Sequence, residues 1–123
     1  MASGQQLRVL VVDDNADQAQ GMAYLIADMG HQADYAVRGR AALELARRLQ
    51  PDVALLDLAL PDTNGFELAR ELRRDPELKP LRIFGITGLP VDRDEARSRG
   101  FDDVLAKPLD PNLLEMLLRR AGR

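Results

Sequence analysis

Residues 53–57 read Val-Ala-Leu-Leu-Asp, an unbroken apolar run that stops at a carboxylate. The run is too short for a buried helix and has no polar residue alternating through it, so it reads as a strand covered on both faces. Strands of that kind belong to parallel sheets, whose crossover connections lay helices on each face. Pro61 and the turn formers Asp62-Thr63-Asn64-Gly65 follow closely. Asp57 is therefore expected at the C-terminal edge of a parallel sheet, where open α/β folds bind ligands.

The rest of the chain supplies companion units. Residues 7–12 (Leu-Arg-Val-Leu-Val-Val) predict a buried strand that ends at Asp13-Asp14. Residues 15–29 carry Met22, Leu25, Ile26 and Met29 at helical spacing, with Asp14 or Asn15 as cap and Gly30 as stop. Residues 32–36 make a weaker strand. Residues 38–50 form an amphipathic helix with Ala42, Leu45, Ala46 and Leu49 on one stripe, ended by Pro51. A third helix covers 65–74 with Leu68, Ala69 and Leu72 inward, and Asp75-Pro76 breaks it. Residues 81–86 predict a strand that runs into Thr87. Residues 90–100 predict a poor helix whose apolar residues are almost only Val91 and Ala96, the element expected to pack least firmly. A short strand at 103–106 ends at Lys107-Pro108, and a closing helix covers 110–120 with Leu113, Leu114, Met116, Leu117 and Leu118. Strand and helix thus alternate through the chain, which predicts one α/β domain with helices on both faces of a parallel sheet.

Composition narrows the chemistry. At 46% hydrophobic and 30% charged, the 123 residues suit a globular domain with a real core. The net charge of -3 and the lack of a basic run give no electrostatic reason to bind nucleic acid. Without cysteine, thiol nucleophiles and thiolate metal sites are excluded, and with His31 as the single histidine so is a two-histidine site. No apolar stretch approaches the roughly 20 residues of a membrane span, and MASGQQ lacks a signal-peptide core, so a cytoplasmic location is expected.

The strand ends deliver Asp13, Asp14, Asp57, Thr87 and Lys107 to one sheet edge. Three carboxylates close together repel, and a hard divalent cation relieves that repulsion. Oxygen donors without His or Cys point to Mg²⁺ (or Mn²⁺), which keeps waters and a phosphate oxygen as further ligands. A lysine and a hydroxyl beside it suit phosphoryl oxygens, and a central carboxylate can act as nucleophile to give an aspartyl-phosphate.

VVDD (11–14), LLDLALPDTNG (55–65), GITG (85–88) and LAKP (105–108) together resemble the receiver domains of bacterial two-component response regulators, over about residues 7–120. The resemblance implies a flavodoxin-like, doubly wound, five-stranded parallel sheet in the order 2-1-3-4-5 with five helices. It implies that Asp57 accepts a phosphoryl group from a histidine kinase or histidine phosphotransfer protein. Asp13, Asp14, Asp57 and the backbone carbonyl of Ala59 would hold Mg²⁺. Thr87 would bond the phosphoryl oxygens, Lys107 would pair with them, and the Lys107-Pro108 bond would be cis. Helix four, strand five and helix five would form the switching surface. The phrase LALPDTNGFELARELR resembles receivers attached to hybrid sensor kinases more than those fused to DNA-binding domains, so a fused kinase or output domain is a further implied partner.

Two positions depart from the family pattern. Val104 stands where receivers commonly carry Tyr or Phe, and a valine has no ring to swing between two sites. Gly88 stands where Ala is common, which adds backbone freedom beside the phosphoryl site. Taken singly, Asp57 is a loop-capping acid, Asp13-Asp14 a helix cap, Thr87 a strand residue and Lys107 a turn residue; their order along the chain turns each toward function. His31 reads as a surface histidine, and Arg38, Arg40, Arg47 and Arg48 as a solvated helix face. The competing functions are a receiver-fold interaction module that is never phosphorylated, an aspartyl-phosphate phosphohydrolase, and a flavodoxin-like FMN carrier. Ala59 stands where the hydrolase needs a second acid, and two acids replace the hydroxyl loop that an FMN phosphate needs.

Overall fold

The computed structural model describes residues 6–121, so the reading of the N-terminal residues 1–5 lies outside the described residues. The elements in order are β1 (Arg8–Val12), α1 (Ala16–Asp28), β2 (Gln32–Ala36), α2 (Gly39–Leu49), β3 (Val53–Asp57), α3 (Gly65–Arg74), β4 (Arg82–Thr87), α4 (Arg93–Ser98), β5 (Asp103–Ala106) and α5 (Pro111–Ala121). They build a single sheet of five parallel strands in the order β2-β1-β3-β4-β5. This is the doubly wound, flavodoxin-like arrangement expected from the sequence. The chain runs outward from β1 to β2, then returns across β1 to β3 and continues the other way. The direction reverses between β1 and β3, and a crevice opens there at the C-terminal strand ends.

Alternation along the strands sorts the core into two layers. Leu10, Val12, Ala54, Leu56, Ile83 and Val104 face one side and pack with Ala42 and Ala46 of α2, Leu68, Ala69 and Leu72 of α3, and Ala96 of α4. Val9, Val11, Val53, Leu55, Phe84 and Ile86 face the other, against Ala19 and Ile26 of α1 and Leu114 and Leu118 of α5. Every residue of β3 is buried, because strands flank it and helices cover it. β2, one of the sheet's two edge strands, buries only Ala36, which matches its weak apolar signal.

Several boundaries and faces differ from the sequence expectation. In α1 the alanines Ala19 and Ala23 are buried with Ile26, whereas Met22, Leu25 and Met29 are only partly buried. Asn15 is the cap, accepting the Gln18 N–H, and this leaves Asp14 outside the helix. β4 starts and ends one residue later than expected, so Thr87 belongs to the strand and pairs with Ala106. α4 is much shorter than the span 90–100. Asp92 accepts the Asp94 and Glu95 N–H groups and sets its start, so Pro90 and Val91 precede the helix. Ala96 is its one buried residue. In α5, Leu114 and Leu118 face the core while Leu113 and Met116 are exposed. Among the described residues, no helix is long and apolar enough to cross a membrane.

Candidate functional site

Each site residue is delivered by the end of a strand. Asp13 follows β1, and its N–H donates to the Ala36 carbonyl, extending the β1–β2 ladder by one residue. Asp57 is the last residue of β3, opposite Ile86. Thr87 closes β4, and its carbonyl accepts the Lys107 N–H at 2.9 Å, which carries Lys107 beyond β5 onto the same edge. The Lys107-Pro108 peptide bond is cis.

The side chains converge. Asp13, Asp14 and Asp57 each place one carboxylate oxygen within 4.8 Å of those of the other two. The Lys107 ammonium lies 3.1 Å from Asp57 Oδ2 and 3.3 Å from Asp13 Oδ2. Asp57 Oδ1 accepts the Ala59 N–H at 2.9 Å, and Asp13 Oδ1 accepts the Asn15 N–H at 3.0 Å. Asp13, Asp57 and Thr87 are buried, while Asp14 is exposed. Burial alone would lower the Lys107 pKa, but the hydrogen bond to Asp57 and the charges of Asp13 and Asp57 outweigh it and hold the ammonium above its ordinary range. The cluster still keeps an excess of negative charge, because a single lysine faces three carboxylates. Its donors are all oxygen, which suits a hard divalent cation such as Mg²⁺.

Two residues have a different local setting from the cluster itself. The Thr87 hydroxyl accepts the Leu89 N–H at 3.1 Å, so it is engaged with its own loop. Ala59 contacts Asp57 through its N–H and faces Asn64 across an antiparallel bridge that pinches the loop after β3. Gly65 is required where this loop re-enters α3: a Cβ there would lie 2.8 Å from the Asp57 carbonyl oxygen and from Leu58 Cα. Gly88 is not under that constraint, since a Cβ at that position would meet nothing within 4 Å.

Some contributors were not visible as functional in the sequence. Asp62, read only as a turn former, spans to α2, where its carboxylate accepts the Gly39 N–H at 2.8 Å and the Arg40 N–H at 3.0 Å. Those two N–H groups hold its pKa below the usual carboxylate value. The available signal was indirect: Arg38, which precedes α2, cannot cap a helix with its side chain. His31 is not simply a surface residue; its Nδ1 accepts the Leu7 N–H at 3.0 Å. Val104 is buried in the sheet opposite Gly85, within the layer that contains Phe101. Phe101 packs edge-on against Phe66, and the Arg99 guanidinium stacks over the Phe66 ring. A cleft of 710 Å³ between α2 and α3 is lined by Arg38, Arg40, Glu44, Glu67 and Glu71 among others, and its mixed charges offer no coherent ligand site.

This edge, a lysine set between buried carboxylates at the switch point of a doubly wound sheet, can be compared with known proteins. The family model described as the response regulator receiver domain matches residues 9–119. The chain belongs to the response regulator receiver family. The receiver is 32% identical to protein PilH of Pseudomonas aeruginosa over 109 residues, 87% of this chain and 90% of PilH. It is 34% identical to the transcriptional regulatory protein CreB of Escherichia coli over 123 residues, 97% of this chain but 54% of CreB. The structure of a CheY-like response regulator receiver domain from Methylobacillus flagellatus has a TM-score of 0.87 at 32% identity, covering 95% of this chain and 99% of that one. Receivers of this family are signalling domains rather than conventional enzymes.

Proposed function

We propose that this receiver is a phosphoacceptor switch in which Asp57 takes a phosphoryl group from a histidine kinase or a histidine phosphotransfer protein. The observation that carries this reading is the setting of Asp57: a buried carboxylate with Lys107 3.1 Å from Oδ2 and two further carboxylates beside it. A carboxylate oxygen of Asp57 attacks phosphorus, the P–N bond of the donor phosphohistidine breaks, and the imidazole leaves with the bonding electron pair. Asp13, Asp14, Asp57 and the Ala59 carbonyl would hold Mg²⁺ (or Mn²⁺), which when bound offsets the negative charge of the phosphoryl oxygens and the carboxylates. Lys107 is already within hydrogen-bond reach of Asp57 and would pair with a phosphoryl oxygen as the carboxylate becomes an acyl phosphate. The Thr87 hydroxyl is an acceptor for Leu89 N–H and keeps its own proton to donate to a second phosphoryl oxygen.

We assign the output surface to α4, β5 and α5. α4 is short and buries only Ala96, so few contacts oppose its displacement. Leu113 and Met116 of α5 stand exposed for a partner. The receiver unit covers about residues 7–120 and works in the cytoplasm, alone or joined to a kinase or output domain. Relatives of both kinds match: PilH over 90% of its length and CreB over 54%.

Incubation of the full chain with Mg²⁺ and a small phosphodonor, followed by intact mass, tests the assignment. The expected result is one added phosphoryl group that disappears in Asp57→Ala. No added mass on wild type would favour the alternative, an interaction module that is never phosphorylated. An added mass that persists in Asp57→Ala would refute the site. Fast multiple turnover of phosphodonor would instead favour a phosphohydrolase, which the alanine at position 59 argues against.

A further inference from the structure

The loop from Leu58 to Asn64 joins the Asp57 strand to α3 and is held in two places. At its neck the Gly65 N–H donates to the Leu58 carbonyl at 2.9 Å, and Ala59 bridges to Asn64. At its tip Asp62 reaches a different element, bonding the Gly39 and Arg40 N–H groups at the start of α2. α1, α3 and α4 are capped by the residue just before each helix, Asn15, Asn64 and Asp92. The equivalent residue of α2, Arg38, has the extended backbone of a cap (φ -142°, ψ 152°) but makes no side-chain cap bond. The approach is close as well as polar: a Cβ on Gly39 would collide with the Thr63 methyl group. The tip is thus fastened to α2 by charge-assisted bonds and by shape, and the neck of the same loop presents Ala59 N–H to Asp57 Oδ1.

We propose that Asp62 is a positioning residue: by anchoring the loop tip on α2 it holds Ala59 against the Asp57 carboxylate and so presets that carboxylate for phosphoryl transfer. The phosphorylation arm of the test rests on the phosphoacceptor reading given above, while the exchange arm does not. Positioning errors of the order of an ångström cost phosphoryl transfer heavily, because catalysis there is geometry and charge placement.

A bare capping role for Asp62 would stabilise α2 and nothing more, and a second substitution separates the two. Arg38→Ser places a serine where the backbone already has cap geometry, so it can restore the cap from within α2 without restoring the tie to the loop. Asp62→Ala and Arg38→Ser/Asp62→Ala are compared with the full wild-type chain. The measurements are melting temperature, NMR hydrogen exchange of the Ala59 amide without Mg²⁺, and phosphorylation rate with acetyl phosphate and Mg²⁺. Asp62→Ala is expected to melt roughly 4 °C lower, to exchange Ala59 faster, and to be phosphorylated roughly tenfold more slowly. The double variant regains the melting temperature but keeps the fast exchange and the slow phosphorylation. Recovery of all three in the double variant, or unchanged Ala59 exchange in Asp62→Ala, would overturn the proposal. If wild type takes no phosphoryl group, the phosphoacceptor reading fails and the exchange measurement still decides the role of Asp62.

Discussion

Two residues beside the site are predicted to lengthen the stay of a phosphoryl group on the proposed acceptor. Ala59 follows Asp57 by two positions and Leu89 follows Thr87 by two, and neither side chain can orient an attacking water. Leu89 is 73% exposed, so a polar replacement would reach solvent above the site without disturbing the core. Ala59→Asn with Leu89→Glu is expected to speed loss of the phosphoryl group by about tenfold, read as decay of the phosphorylated mass; an unchanged lifetime would remove these side chains from the account. His31 makes a second prediction. Its Nδ1 accepts the Leu7 N–H, and desolvation lowers its pKa below the ordinary 6.5. A depressed pKa means that the unfolded chain binds the proton more readily, so the stability linked to His31 is complete above pH 6.5 and is lost as pH falls through the folded value. The melting temperature should therefore fall more between pH 7.5 and 5.5 in wild type than in His31→Asn, which keeps an acceptor but does not titrate. Equal falls would show that the ring does not report pH.

At the scale of the element, the sequence located strands and helices well where burial was strong, and less well where a neighbour decided the outcome. β3 is legible in the sequence because it is apolar from Val53 to Leu56, and α3 because its apolar stripe and the Asp75-Pro76 breaker agree. α4 was read too long because Pro90 and Val91 suit a helix start, while the structure begins it after the Asp92 cap. The faces of α1 and α5 were blurred by surplus apolar residues. Helical spacing alone does not say which of Leu113, Leu114, Met116, Leu117 and Leu118 meets the sheet. The structure selects Leu114 and Leu118, four residues apart and packed under Phe84 and Ile86 in the same layer. Leu114→Ala should cost about 2–5 kcal/mol in urea unfolding, whereas Met116→Lys, on the exposed side, should stay within about 0.5 kcal/mol. Comparable losses from both would mean that α5 sits in a different rotation.

For the molecule as a whole, one property of the fold explains the site: in a parallel sheet all strand ends of one polarity lie on one edge. Residues as distant in sequence as Asp13 and Lys107 therefore come within 3.3 Å. Lys107 pairs with two of the three clustered carboxylates, and if the cluster holds Mg²⁺ as proposed, the ion should raise the melting temperature by linkage. Saturation at a hundred times Kd is worth about 2.7 kcal/mol. The rise should shrink in Asp57→Asn, and no rise in wild type would argue against the metal site. The sequence by itself determined the alternation of strand and helix, the buried character of β3 and the order of the polar strand ends, because periodicity and hydrophobic burial are local properties. Only the tertiary structure decided that Lys107 lies between Asp57 and Asp13, that Thr87 is engaged with Leu89, that Val104 is buried opposite Gly85, and that Asp62 caps α2. Those facts depend on which side chains meet across crossovers, and no pattern within one segment encodes a partner in another.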